Sequence, residues 1–201
     1  MKYLLNYDDI KNWKIYEIRE KIDKIEGLPL SDCTISKLVF YNDVPILTGN
    51  GVYIFKKGED YLYVGKCSSR CFAERIPAHF DLRNDGWFNN FLKRLVNMCL
   101  NQQNKDKIKD WKEPLSNKKT DEYIDLITKQ ASSLLQINQE SFLVSNHKLI
   151  LINFAKSPNI VKAINDLEYI LRIVLKPLNE FKTIKTKDIN VNQKICDFKK
   201  K

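Results

Sequence analysis

Apolar and polar residues change their spacing several times along this chain, and each change marks an element. From Asp8 to Glu26, Ile10, Trp13, Ile15, Ile18, Ile22 and Ile25 recur at mostly three- and four-residue intervals among charges. That is the period of one or two amphipathic helices. Gly27 and Pro29 end them, and a short apolar stretch follows over 35–46. The period then shortens to two in Gly51-Val52-Tyr53-Ile54-Phe55 and Tyr61-Leu62-Tyr63-Val64-Gly65, joined by the turn-prone Lys56-Lys57-Gly58-Glu59-Asp60. Val52, Ile54, Leu62 and Val64 alternate with aromatic neighbours, which predicts a hairpin of two half-buried strands.

Beyond Gly65 a polar turn runs into a helix over 67–80, interrupted by Pro77. Phe88, Phe91, Leu92, Leu95, Val96 and Cys99 form one stripe of a helix over 87–100, and Tyr123, Ile124, Ile127, Leu134 and Leu135 form another over 120–137. The polar stretch 101–119 lies between them. The Leu- and Ile-rich run 148–154 predicts a third, largely buried strand, and Ser157-Pro158 open a long helix over 159–175 that Pro177 ends. No internal repeat or low-complexity segment stands out. Helices, hairpin, helix, helical insertion, strand, helix and tail make an α+β order.

With 201 residues the chain suits one domain with elaborations, or one domain plus a small appended one, and is long enough to bury a core without cofactor or disulfide. No apolar run is long enough to span a bilayer, and Asp8 and Asp9 follow the N-terminus before any signal-like segment develops, so the expected setting is soluble and cytoplasmic, with no membrane partner. The five cysteines, Cys33, Cys67, Cys71, Cys99 and Cys196, are scattered and odd in number, which argues for reduced thiols. With His79 and His147 they give no recognised zinc-ligand spacing. A net charge of +9 favours an anionic partner, and residues 181–201 contribute +5 of it, as a solvated basic tail or as a backbone contact.

Among residues able to carry chemistry, Glu168 lies on one helical line with Ile164, Leu171 and Leu175, inside the apolar stripe rather than opposite it. A carboxylate there demands a partner, for which Arg172 at i,i+4 or a metal qualifies. Arg75 and His79 are also four apart, as a surface pair or as two members of a site on one helical face; the arginine fork suits phosphate. Tyr53 and Tyr63 sit on paired strands beside glycines, where cross-strand packing is the default.

Together these residues resemble the GIY-YIG nuclease family. Gly51-Val52-Tyr53 is similar to its first signature and Tyr63-Val64-Gly65 to its second; Lys66, Arg75-xxx-His79, Leu167-Glu168-xx-Leu171 and Lys176-Pro177-Leu178-Asn179 follow in the family's order. The resemblance implies a small three-stranded antiparallel sheet flanked by helices. Outside that core stand an N-terminal helical extension over 1–48 and a helical insertion at about 81–145; the core itself spans 49–181, and a basic tail covers 182–201. Such additions look most like those of free-standing type II restriction enzymes.

The implied activity is metal-dependent hydrolysis of DNA phosphodiesters, site-specific on duplex DNA, with a homodimer as one way to cut both strands. Glu168 would ligate Mg²⁺ or Mn²⁺. Tyr53 would take the proton of the attacking water, helped by His79 or Lys66 because an ordinary tyrosine titrates near pH 10. Tyr63 would orient water or phosphate, Arg75 would stabilise charge on the phosphoryl oxygens, with Arg70 as a competing candidate, and Asn179 would close the site. Lys105, Lys107, Lys109 and Lys112 would hold the DNA backbone with the tail. The alternatives are a homing-type or structure-specific repair nuclease, and a non-catalytic DNA-binding protein that keeps the fold.

Overall fold

The computed structural model of the chain describes residues 3–38, 47–80, 147–177 and 189–200. The hairpin strands β3 (Leu47–Lys57) and β4 (Asp60–Cys67) pair antiparallel, and β5 (Lys148–Ala155) pairs antiparallel with the other edge of β3. Two short strands extend the sheet along the far edge of β5: β1 (Leu4–Asn6) runs parallel to it, and β2 (Leu28–Pro29) antiparallel. The sheet is therefore mixed and five-stranded, in the order β1-β5-β3-β4 with β2 also on β5. The expected three-stranded antiparallel sheet is too small a description. Residues before the hairpin, expected to be purely helical, carry two segments whose backbone groups complete the edge of β5, which would otherwise be left unpaired.

Short helices follow the expected amphipathic stretch at the N-terminus: α1 (Tyr7–Ile10), a 3₁₀ turn at Ile15–Glu17, and α2 (Ile18–Asp23). Further on come α3 (Ile35–Leu38), α4 (Phe72–Arg75) and the long α5 (Ile160–Leu175). Lys176 closes α5 in the left-handed conformation, φ 50°, immediately before Pro177, which cannot continue a helix. The proposed helices in 81–145, the lysines at 105–112 and Asn179 lie outside the described residues.

Both faces of the sheet are covered. On one, Val52, Ile54, Val64, Ile150 and Ile152 pack against Ile164, Leu167, Ile170 and Leu171 of α5 and against Ile10, Ile15, Ile18 and Ile22. On the other, Tyr53, Phe55, Tyr63, Leu149 and Leu151 pack with Phe72, Ile76, Leu28 and Leu30. The hairpin strands are thus buried on both sides rather than half-buried, because the aromatic positions that alternate with Val and Ile face a second layer. Residues 189–200 also join the core: Ile195 and Phe198 are buried with the α5 cluster. Among the described residues no helix is long and apolar enough to cross a membrane.

Candidate active site

The site face begins with an irregularity in the hairpin. Phe55 pairs with Tyr63 but Lys56 pairs with Tyr61, so Leu62 is an extra residue in β4. Such a bulge resets the alternation of side chains. Tyr61 and Tyr63, two residues apart, accordingly lie on opposite faces: Tyr61 joins the α5 core, where its hydroxyl donates to Asp23, whereas Tyr63 turns to the face of Tyr53 and Phe55.

Tyr53 stands opposite Gly65 in the ladder, not opposite Tyr63. Its ring runs parallel to that of Tyr63, centroids 6.0 Å apart and planes at 11°. The phenol passes directly over Gly65: a Cβ at residue 65 would overlap the Tyr53 hydroxyl and crowd the Tyr63 ring. Gly65 therefore makes room for Tyr53, and β4, as the last strand of the sheet, leaves that phenol near an edge.

Beyond β4 the chain turns through residues 68–71 into α4. Pro77 stops that helix, since its ring clashes with the carbonyl four residues back, and a 3₁₀ turn, Pro77–Phe80, follows with the His79 amide donating to Ile76. Arg75 and His79 therefore do not share one continuous helix, but both reach Tyr53. His79 is fully buried among aromatic rings, 4.8 Å from the Tyr63 centroid, 5.3 Å from Tyr53 and 5.4 Å from Phe55, and its Nε2 lies 2.6 Å from the Tyr53 hydroxyl. In the Nδ1–H tautomer the imidazole accepts the phenol proton as a hydrogen bond.

Burial pushes the Tyr53 hydroxyl well above its ordinary titration range, and Tyr63 adds to that; the nearby positive charge of Arg75 pulls the other way. A phenol held neutral by burial takes a proton only as it hands its own on, and His79 is placed to receive it. Arg70, the competing arginine, is exposed on the connecting loop, where its carbonyl accepts from the Asn50 amide.

Glu168 belongs to the other face. Lys66, one residue after the glycine beneath Tyr53, points away from the tyrosines, and its Nζ lies 2.8 Å from Glu168 Oε2; the Arg172 guanidinium is 4.0 Å from Oε1. Arg172, the i,i+4 cation expected for this carboxylate, lies at the edge of ion-pair range, and the nearer partner is Lys66. Lys66 thus pairs with Glu168 instead of assisting Tyr53. The polar pair and the tyrosine cluster flank the same stretch of the edge strand, Gly65 serving one and Lys66 the other.

No group of three His, Cys, Asp or Glu side chains that could cage a metal occurs among the described residues. The donor set would suit an ion held by one carboxylate, Glu168, and otherwise by water and substrate oxygens, which is the habit of Mg²⁺.

One polar residue escaped the sequence reading. Asn153 is fully buried on the Tyr53 face of β5, opposite Gly51 and Asn6, and neither its Oδ1 nor its Nδ2 has a hydrogen-bond partner among the described residues. The signal was there: Asn153 interrupts an otherwise apolar Leu149–Phe154 run. No family model matches the chain, and neither the curated proteins nor the solved structures contain a match to it.

Proposed function

We propose that the protein is a metal-dependent phosphodiester hydrolase, a DNA endonuclease of GIY-YIG type acting on duplex DNA. The observation that carries this reading is the Tyr53 hydroxyl, bonded to His79 Nε2 at 2.6 Å and bracketed by the Arg75 guanidinium. A phenol between a proton acceptor and a permanent cation is equipped to deprotonate water next to an anionic substrate. The sheet is mixed and five-stranded, and this reading takes its antiparallel strands β5, β3 and β4 as the support of the site.

In the proposed step, the attacking water gives its proton to the Tyr53 oxygen as Tyr53 gives its own to His79 Nε2. The water oxygen bonds to phosphorus, the bond from phosphorus to the leaving oxygen breaks, and that oxygen takes a proton from solvent. Arg75 donates to the phosphoryl oxygens as their charge grows, and Tyr63, ring-stacked on Tyr53, orients the nucleophile. Glu168 would hold the divalent cation, which supplies charge neutralisation at the phosphate and leaving group. Lys66, beside Glu168, would offer a second cation to the DNA backbone. Asn179 keeps the closing role that the resemblance implies.

Incubation of the purified protein with plasmid DNA and Mg²⁺ tests the proposal. Discrete fragments support site-specific cleavage, a smear supports a nonspecific nuclease, and DNA left intact across duplex, branched and single-stranded substrates with Mg²⁺ or Mn²⁺ refutes it in favour of a binding module.

A further inference from the structure

Residues 11–17 and 191–197 adopt the same succession of turn, bend, bridge and 3₁₀ turn. Their sequences share a residue or its character at Asn12 and Asn192, Lys14 and Lys194, Ile15 and Ile195, Glu17 and Asp197, and then Ile18 and Phe198, but differ at the positions between. The backbone agrees, with Lys14 at φ −73°, ψ 146° and Lys194 at φ −75°, ψ 156°. This is a short internal repeat, too brief and too widely separated to stand out in the sequence.

The two copies bind each other about a local two-fold axis. Lys14 and Lys194 form an antiparallel bridge. The Ile15 amide donates to Gln193 at 3.0 Å and, symmetrically, the Ile195 amide to Trp13 at 3.0 Å; Tyr16 donates to Val191 at 3.1 Å and Cys196 to Lys11 at 2.9 Å. Each copy buries its isoleucine in the core shared with α5. The segment 189–200 is therefore a docked arm.

That arm grips the helix bearing Glu168. The Phe198 ring stacks on Tyr169, centroids 5.8 Å apart and planes at 18°; the Lys200 ammonium covers the Tyr169 ring at 4.7 Å; and the Lys200 amide donates to Asp166 Oδ1 at 3.3 Å, the same side chain that pairs with Lys162 at 2.7 Å. Asp166 and Tyr169, three residues apart, lie on one flank of α5, with Tyr169 about a quarter turn from Glu168 and Asp166 on the side nearly opposite it, so the grip sets the helix's rotation and its slide along β4.

We infer that the 189–200 arm is a positioning element for Glu168, and that Phe198 acts on the Lys66–Glu168 pair through Tyr169. The inference rests on the nuclease reading only for what Glu168 then does. Small displacements matter because side chains that orient a metal ligand commonly contribute ten- to a hundredfold to affinity.

The test uses the full chain and three variants, Phe198→Ala, Phe198→Tyr and Lys200→Pro, the last removing one backbone donor near the surface. Two quantities are measured: the Glu168 side-chain ¹³Cδ resonance, assigned by its loss in Glu168→Gln, and the Mg²⁺ concentration for half-maximal cleavage. Phe198→Ala and Lys200→Pro are expected to move the resonance and raise the Mg²⁺ requirement about tenfold, with Phe198→Tyr restoring both. The resonance needs neither metal nor DNA, so it decides the inference even if no cleavage occurs. An unmoved resonance in both disruptive variants, whatever happens to their melting temperatures, overturns it; should Phe198→Ala fail to fold, Lys200→Pro alone decides.

Discussion

The Tyr53 hydroxyl sits 2.6 Å from His79 Nε2 and directly over the backbone of Gly65. Three parts of the sequence thereby fix one oxygen: a strand supplies it, a 3₁₀ turn brings the imidazole that hydrogen-bonds it, and a missing side chain gives it space.

Replacing Tyr53 by Phe keeps the ring and removes the oxygen. Single-turnover cleavage should fall on the order of 10²- to 10⁴-fold, the usual contribution of a positioned proton acceptor. Stability should drop by only about 1–3 kcal/mol, because His79 loses a buried partner while the packing survives. An unchanged rate in rapid-quench assays would remove Tyr53 from the chemistry.

Gly65→Ala should be costly for a different reason. Its methyl overlaps the Tyr53 phenol and the Tyr63 ring, so about 1–3 kcal/mol of stability is lost to overpacking. Urea unfolding midpoints measure this, and a neutral result would mean the phenol does not lie over residue 65.

Alkaline stability isolates the same oxygen. The folded-state pKa of Tyr53 is raised, so its contribution is intact below the ordinary tyrosine value and is lost as pH rises above about 10, where the unfolded chain ionises and the folded one does not. Tyr7, pushed up to about 12 chiefly by burial, adds to the trend in both proteins. Between pH 10 and 12, the unfolding free energy of the wild type should therefore fall more steeply than that of Tyr53→Phe, by up to about 1.4 kcal/mol per pH unit. Parallel denaturation curves across that window would contradict the burial argument.

Glu168→Gln should abolish Mg²⁺-dependent cleavage and leave DNA retention in a gel-shift assay. Its cost in stability should stay within about 1 kcal/mol, since Lys66 is 38% exposed and the pair is partly solvated. Retained turnover would take Glu168 out of metal binding.

Asn153→Val should raise stability by about 1 kcal/mol or more. It replaces a buried amide lacking a partner among the described residues with a side chain suited to a strand interior. A fall in the urea midpoint would show that the amide is hydrogen-bonded in solution.

The strands were legible because their cause is local. Alternation and turn chemistry located β3 and β4, and a Leu- and Ile-rich run bounded by polar residues located β5. What stayed hidden depends on partners far away. Leu4–Asn6 and Leu28–Pro29 are too short to show a period and become strands only because β5 offers an open edge. The bulge at Leu62 is likewise set by pairing, and it decides which face Tyr63 joins. For the site, spacing placed Arg75 near His79 and Glu168 in the apolar stripe. It did not reveal that Lys66 would turn toward Glu168 while Tyr53 turned toward His79, since that division follows from the alternation of one edge strand around Gly65.

The pairing of Lys14 with Lys194 also constrains the order of folding. Ile15 and its neighbours lie near the start of the described chain, yet the layer they share with α5 is complete only when Ile195 and Phe198 arrive. A contact so distant in sequence closes late and slowly. The core on the Glu168 face therefore draws on residues from Ile10 to Phe198, and it is complete only with the 189–200 arm in place.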